Sequence, residues 1–242
     1  MKTSLFSHSL SKVLDWTFPL HCSFCGDYDI LSRKISICRS CYPRSIVPDV
    51  QLCEICKSPW VEEAKSCSYC GSRNIFFDRL DYGRIRGERE TRILDRVKFR
   101  EEFYLRFFFR MGLGKKISIL KDWRISKISF VPSNSSTLRK RPYLVAEPAM
   151  KWISKALNQP ILPLLEKQSG ELQSGKTFTE RFFHARFAFR IRKEFEKKLS
   201  GNVLLVDDVF TTGATLNECA RILKENGAEK VYLFTLLKGL NR

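Results

Sequence analysis

VLLVDDVFTTGAT, residues 203–215, is the stretch from which the fold can be read. Val203, Leu204, Leu205 and Val206 form an unbroken apolar run, the pattern of a strand covered on both faces. Such a strand delivers Asp207 and Asp208 to its carboxyl end, where open α/β sheets bind ligands. Thr211, Thr212, Gly213, Ala214 and Thr215 then make a short loop of small residues that opens directly into a helix. The start of a helix exposes N–H groups without carbonyl partners and the positive end of its dipole, so this loop can cradle a phosphate. The threonine hydroxyls add donors, and Gly213 allows close approach of the backbone. Two carboxylates beside a phosphate would repel it. They make sense if they accept hydrogen bonds from vicinal ribose hydroxyls or hold a divalent cation. The combination reads as a site for a ribose 5-phosphate group carrying pyrophosphate or a similar leaving group. The plainer alternative is that the acids merely end a strand, with Asp208 or Thr211 capping the helix that follows.

Outward from this stretch, strands alternate with helices. Residues 90–111 predict one long amphipathic helix, with Ile93, Leu94, Val97, Tyr104, Phe107, Phe108 and Met111 at steps of three and four. Residues 128–131 predict a buried strand ending at Pro132, and residues 143–157 a helix. Residues 161–165 are a possible strand interrupted by Pro163. The run 214–226 predicts a helix ending at Gly227, with Cys219 on its apolar face, and 231–237 a further strand. The expected architecture is α/β, a mostly parallel sheet flanked by helices. The polar, aperiodic segment 166–180, EKQSGELQSGKTFTE, reads as a long mobile loop of the kind that closes over sites.

Residues 20–73 differ in kind. They carry eight of the nine cysteines, in four CxxC pairs: Cys22/Cys25, Cys38/Cys41, Cys53/Cys56 and Cys67/Cys70. Twelve residues separate the first two pairs and ten the last two, spacings that suit zinc ribbons. A segment this poor in core-forming residues needs a metal or a disulfide to hold a fold. Two structural Zn²⁺ ions are therefore expected, on the pairs taken sequentially or interleaved. His21 adjoins Cys22 as a stray candidate ligand. Closed four-thiolate sites leave no open position, so catalysis by these ions is not expected. The chain thus divides into an N-terminal amphipathic helix (1–19), a double zinc ribbon (20–73) and an α/β domain (75–242). The first of these places Phe6, Leu10, Val13 and Leu14 at helical spacing, to pack on the protein or, less simply, to lie on a membrane surface.

With 43 Lys and Arg against 26 Asp and Glu, the formal charge is +17. The excess is concentrated in residues 121–142 and 181–198, and it favours polyanions such as phosphates and nucleic acid. No apolar run approaches the ~20 residues of a membrane span. The first residues lack the apolar core and cleavage site of a secretory signal, so the reducing cytoplasm is the expected compartment.

The stretch 203–215 resembles the signature of type I phosphoribosyltransferases, which grip phosphoribosyl pyrophosphate (PRPP). The resemblance implies that Asp207 and Asp208 contact ribose hydroxyls and that Thr211, Thr212, Gly213, Ala214 and Thr215 hold the 5-phosphate, with Mg²⁺ on the pyrophosphate. Joined to the cysteine pairs, the whole chain resembles the ComF family of competence proteins. That resemblance includes Pro19 before Cys22, Tyr82-Gly83, Lys98-Phe99, Val131-Pro132, Gln173 and Glu180-Arg181. It implies a cytoplasmic protein that supports uptake or processing of single-stranded DNA, with a DNA-import helicase or other competence machinery as possible partners. Arg139, Lys140 and Arg141 would meet the pyrophosphate, and Arg181 would close over it and join the acids as a catalytic candidate. The chain departs from the family pattern at Arg141-Pro142-Tyr143-Leu144, where a glycine and an asparagine are lost, and at His184. Two further readings follow: an active transferase acting on a small acceptor, and a zinc-ribbon adaptor that docks another protein.

Overall fold

The structure is a computed structural model, and it describes residues 21–43, 48–63, 65–67, 69–100, 102–133, 143–168 and 188–240. The expected N-terminal helix over 1–19 lies outside the described residues. The cysteine-rich part contributes a short helix α1 (Ser32–Ile35) and an antiparallel pair, β1 (Trp60–Val61) and β2 (Ser66–Cys67). Beyond it come β3 (Arg79–Ile85), α2 (Glu88–Phe99), α3 (Ile117–Asp122), β4 (Ile125–Phe130) and α4 (Glu147–Leu157). The chain continues through β5 (Leu165–Lys167), β6 (Phe189–Ile191), β7 (Asn202–Phe210), α5 (Ala214–Glu225) and β8 (Lys230–Lys238).

β3, β8, β7 and β4 form one four-stranded sheet in that order, every pairing parallel. The apolar run of β7 sits in it as its composition demands. Val203 and Leu205 face one core, Leu204 and Val206 the other, and none of the four is exposed. Burial of both faces is why the run shows no alternation. One core joins Ile93, Leu94 and Val97 of α2 and Ile153 of α4 to Ile35 and Ile37 of the first cysteine segment. The other joins Leu216, Cys219 and Leu223 of α5 to Cys53, Cys56, Cys67 and Tyr69 of the second. The two cysteine segments therefore pack on opposite faces of one sheet.

The single helix expected over 90–111 is two elements. α2 carries Glu88 and Glu90 in its first turn and Arg96 and Lys98 in its last, the arrangement that suits the helix dipole. It stops at Arg100, and the chain folds back so that Glu102 accepts from Arg96 Nε and Nη2, each at 2.7 Å. A 3₁₀ run, Phe103–Arg110, follows. Its buried Leu105 and Phe108 keep the three-residue spacing of a 3₁₀ turn, whereas Tyr104 and Phe107 of the expected stripe are exposed.

α4 starts at Glu147, later than the expected 143, with Pro148 at its first positions. Ile161 makes only an isolated parallel bridge to Ile128, and the chain pairs again from Leu165, beyond Pro163, which has no N–H to give. β5 there pairs antiparallel with β6, so the segment expected to be loop from 166 begins as strand. The rest of that segment, from 169, lies outside the described residues. β3, absent from the pattern reading, is a sheet strand whose partner is β8.

Candidate functional site

β7 runs past its apolar stretch to Phe210, so Asp207 and Asp208 stand inside its last turns of pairing rather than beyond them. Asp207 lies opposite Thr235 of β8. Both acids are half-buried, and the Asp208 N–H donates to Asp207 Oδ1 at 2.8 Å. Burial, and then the adjacent Asp208 carboxylate, push Asp207 up to about 8. Asp208 has a different environment: Lys98 Nζ, from the last turn of α2, lies 2.6 Å from its Oδ2. One carboxyl is thus held protonated near neutrality and its neighbour is paired with a cation. Beside them a small cleft is walled by Phe130 and Val131 of the β4 end, Leu144, and Met150 of α4.

Immediately after β7, Gly213 adopts φ +69°, the left-handed region that glycine takes without strain, and Ala214 begins α5. Space demands glycine as well. A Cβ there would lie 2.4 Å from Tyr69 Oη and 2.5 Å from Phe210 Cζ. Asn217 N donates to Gly213 O at 2.8 Å as the first helical bond, which leaves the preceding amides of 211–215 at the positive end of the α5 dipole. Gly213, the residue before α5, has no side chain to cap it, and Ala214 N donates to Thr212 Oγ1 at 3.5 Å.

Tyr69, Arg73 and Asn74 brace the loop from below. Arg73 Nη1 donates to Thr212 O at 3.3 Å and its guanidinium lies 4.1 Å from the Tyr69 ring centre. Asn217 Nδ2 donates to Asn74 O, and its Oδ1 accepts from Phe76 N, each at 2.9 Å. These residues and Lys98 escaped the sequence reading as site components. Nothing in the sequence around Lys98 says that the end of α2 meets β7. Cys219 is fully buried on α5, as its spacing predicts, and burial pushes its thiol up.

The eight paired cysteines form two clusters, Cys22, Cys25, Cys38 and Cys41, and Cys53, Cys56, Cys67 and Cys70, taken in sequence order. Within each, the sulfurs lie within 4.8 Å of one another, and Cys25–Cys38 and Cys56–Cys67 approach to 3.5 and 3.4 Å. Backbone amides point at sulfur, Phe24 N at Cys22 and Cys70 N at Cys67. Hydrogen bonding from Cys70 brings Cys56 down to about 5 and pushes Cys70 up in return. Against the raising effect of burial, backbone N–H groups bring Cys22 down to about 6. Four sulfurs this close together fit a tetrahedral dication such as Zn²⁺, which would let all four ionise. Among the described residues both clusters consist of cysteine alone; His21 Nδ1 instead meets Gly26 O at 3.0 Å.

The first cluster is tied to α2: Arg96 Nη1 donates to Ser23 O at 2.6 Å, and Arg89 Nη1 reaches Ser40 O and Cys41 O. Arg84 of β3 donates to Pro43 O while pairing with buried Glu90 at 3.1 Å. The second cluster abuts Lys238, the last residue of β8, which is fully buried and pushed down to about 8 by that burial. The expected pyrophosphate contacts Arg139, Lys140 and Arg141, and the catalytic candidate Arg181, lie outside the described residues, so Asp207, Asp208 and 211–215 are the site candidates brought together here.

The phosphoribosyl transferase domain family matches residues 154–242. The competence protein ComFC of Streptococcus pneumoniae is 27% identical over 246 residues, covering 98% of this chain and 100% of its own. Competence protein F of Haemophilus influenzae is 24% identical over 228 residues, covering 91% and 98%. Among solved structures, the Bacillus subtilis glutamine PRPP amidotransferase complexed with ADP and GMP is 21% identical with a TM-score of 0.35, over 53% of this chain and 26% of that one. Over nearly its full length the chain is thus similar to competence proteins of the ComF type, and its C-terminal part matches the phosphoribosyl transferase domain.

Proposed function

We propose that the protein binds PRPP or a related ribose 5-phosphate ligand with Mg²⁺ at the carboxyl end of β7, and that it supports uptake or processing of single-stranded DNA in natural transformation. The observation that carries the ligand reading is the placement of Asp207 and Asp208 on the strand that leads into a Gly213-centred loop at the start of α5. In this reading the loop amides and the hydroxyls of Thr211, Thr212 and Thr215 take the 5-phosphate, and the acids accept from the ribose hydroxyls. Lys98 pairs with Asp208 beside them. Mg²⁺ arrives with the pyrophosphate and offsets its charge, with Arg139, Lys140, Arg141 and Arg181 proposed to meet the same oxygens. Calorimetric titration with Mg²⁺–PRPP tests this: binding is expected, and the double variant Asp207→Asn, Asp208→Asn abolishes it. Unchanged affinity in that variant would sink the assignment.

The DNA reading takes support from the name of the relatives and from a groove between the 3₁₀ run and α4. Phe107 and Trp152 line it among Arg110, Lys151 and Lys155. Aromatic faces between cations suit the stacked bases and phosphates of a single strand. If about four phosphates are neutralised, affinity for an oligothymidylate falls ~50-fold between 50 and 200 mM salt. A flat response, or no binding at low salt, would favour the adaptor reading, in which a ribbon docks a helicase or import component.

Both cysteine clusters are proposed to hold Zn²⁺, two equivalents per chain by elemental analysis, which suits a reducing cytoplasmic setting. The division into 1–19, 20–73 and 75–242 is proposed on composition. A second activity, transfer to a small acceptor, has one observation in its favour, the cleft of Phe130, Leu144 and Met150 beside the acids. Pyrophosphate release on adding candidate acceptors would establish it.

A further inference from the structure

We propose that the second cysteine centre, and not the first, sets the shape of the 211–217 loop, so that metal on Cys53, Cys56, Cys67 and Cys70 is needed for a competent phosphate cradle. The consequence for ligands rests on the phosphate-site reading above; the coupling of metal to loop does not.

Tyr69 is the mechanical link. It lies between Cys67 and Cys70, so ligation of those two sulfurs pins its backbone from both sides. Its ring is 4% exposed and packs edge-on against Phe210 at 5.2 Å. Its hydroxyl occupies the space beside the α-carbon of Gly213. Three residues beyond Cys70, Arg73 holds Thr212 O, and Asn74 and Phe76 hold Asn217 in the first turn of α5. The loop floor is therefore built from the chain that leaves this centre.

A second connection runs through charge. The Lys238 ammonium is buried, donates to Ser58 Oγ at 3.4 Å beside Cys56, and lies 4.8 Å from the Phe210 ring centre. Among the described residues no carboxylate pairs with it. A metal held by four thiolates carries a formal charge of about −2 and supplies the missing counter-charge. The 53–70 segment has little core of its own, with Ile55, Trp60 and Val61 exposed, so metal ligation is what fixes the backbone that carries Tyr69 to Gly213. The first centre leans on the opposite face of the sheet, against α2 and β3, and none of its contacts described above reaches 211–217.

Hydrogen exchange of the full-length protein, followed by mass spectrometry on peptides spanning 207–220, decides the matter. Cys56→Ser is expected to raise exchange of 211–217 roughly ten-fold, whereas Cys25→Ser in the first centre leaves it unchanged. Tyr69→Ala, which keeps all eight ligands, should retain two equivalents of metal and still lose loop protection, with Tyr69→Phe restoring it. If Cys56→Ser unfolds outright, the Tyr69 pair still discriminates. Equal loop protection in Tyr69→Ala and wild type, or an equal rise with Cys25→Ser, overturns the proposal.

Linkage requires reciprocity: Mg²⁺–PRPP should slow release to a chelator of one zinc equivalent of the two in wild type, and of neither in Tyr69→Ala. Failure of wild type to bind PRPP would remove the ligand reading alone, because the exchange measurement needs no ligand.

Discussion

Asp207 and Asp208 are adjacent in sequence, yet the fold surrounds them differently. Asp207 loses solvent and faces a neighbouring carboxylate, so it holds its proton up to about pH 8, whereas Asp208 meets Lys98. An acid raised in the folded state binds more protons there than in the unfolded chain between its ordinary value and about 8. Its contribution favours the fold below that window and is lost as pH rises through it. In ligand-free, Mg²⁺-free buffer the Tm should therefore fall between pH 5 and pH 9, and Asp207→Asn should flatten that fall; parallel profiles for the two proteins would refute the assignment. Gly213→Ala makes a different test. It forces a side chain into positive φ and onto Tyr69 and Phe210, so a loss of about 1–3 kcal/mol from backbone strain alone is expected in urea titrations, together with loss of PRPP affinity. Gly213 was legible from the sequence as a loop glycine. The ring that makes it obligatory was not, since it comes from residue 69.

Elements in this protein are joined through a few buried polar anchors. Arg84 of β3 and Glu90 of α2 pair at 3.1 Å with side chains 8% and 3% exposed, and Arg84 also holds Pro43 O of the first cysteine segment. Removing one partner leaves the other charged and dry, so Glu90→Ala should cost about 3–5 kcal/mol in urea unfolding. Replacing both, as Arg84→Met with Glu90→Leu, should recover much of that loss. β7 was readable because four consecutive buried aliphatics have few other uses. β3 was not: Asp81, Tyr82, Gly83 and Arg84 interrupt its apolar pattern, and its place follows from pairing with β8. Likewise the break at Arg100 is invisible to periodicity, because the 3₁₀ run is so rich in aromatics that a helical stripe can be drawn through it, though Tyr104 and Phe107 on that stripe are exposed.

At the scale of the whole molecule, the two cysteine centres are the outer layers of the two cores rather than an appendage. Ile35 and Ile37 enter the core with α2 and α4, and Cys53, Cys56 and Tyr69 the core with α5. With Zn²⁺ on both centres as proposed, stripping it should therefore destabilise the entire chain, lowering the Tm by at least ~10 °C, with recovery on adding it back. A Tm that ignores chelation would contradict this packing. The net charge of +17 was plain from composition, but its arrangement around Phe107 and Trp152 depends on the 3₁₀ run lying beside α4.

The sequence by itself determined the chemistry that local order can encode. It specified a buried strand, an acid pair, a small-residue loop at a helix start, and four cysteine pairs whose spacing suits tetrahedral thiolate sites. These rest on residues within a few positions of one another, where backbone geometry sets the distances. Only the tertiary structure decided which distant groups complete them: Lys98 for Asp208, Tyr69 and Arg73 for the loop, and Lys238 for the second centre. Those contacts span up to 180 residues, and their existence depends on the order of strands in the sheet and the face on which each segment lands.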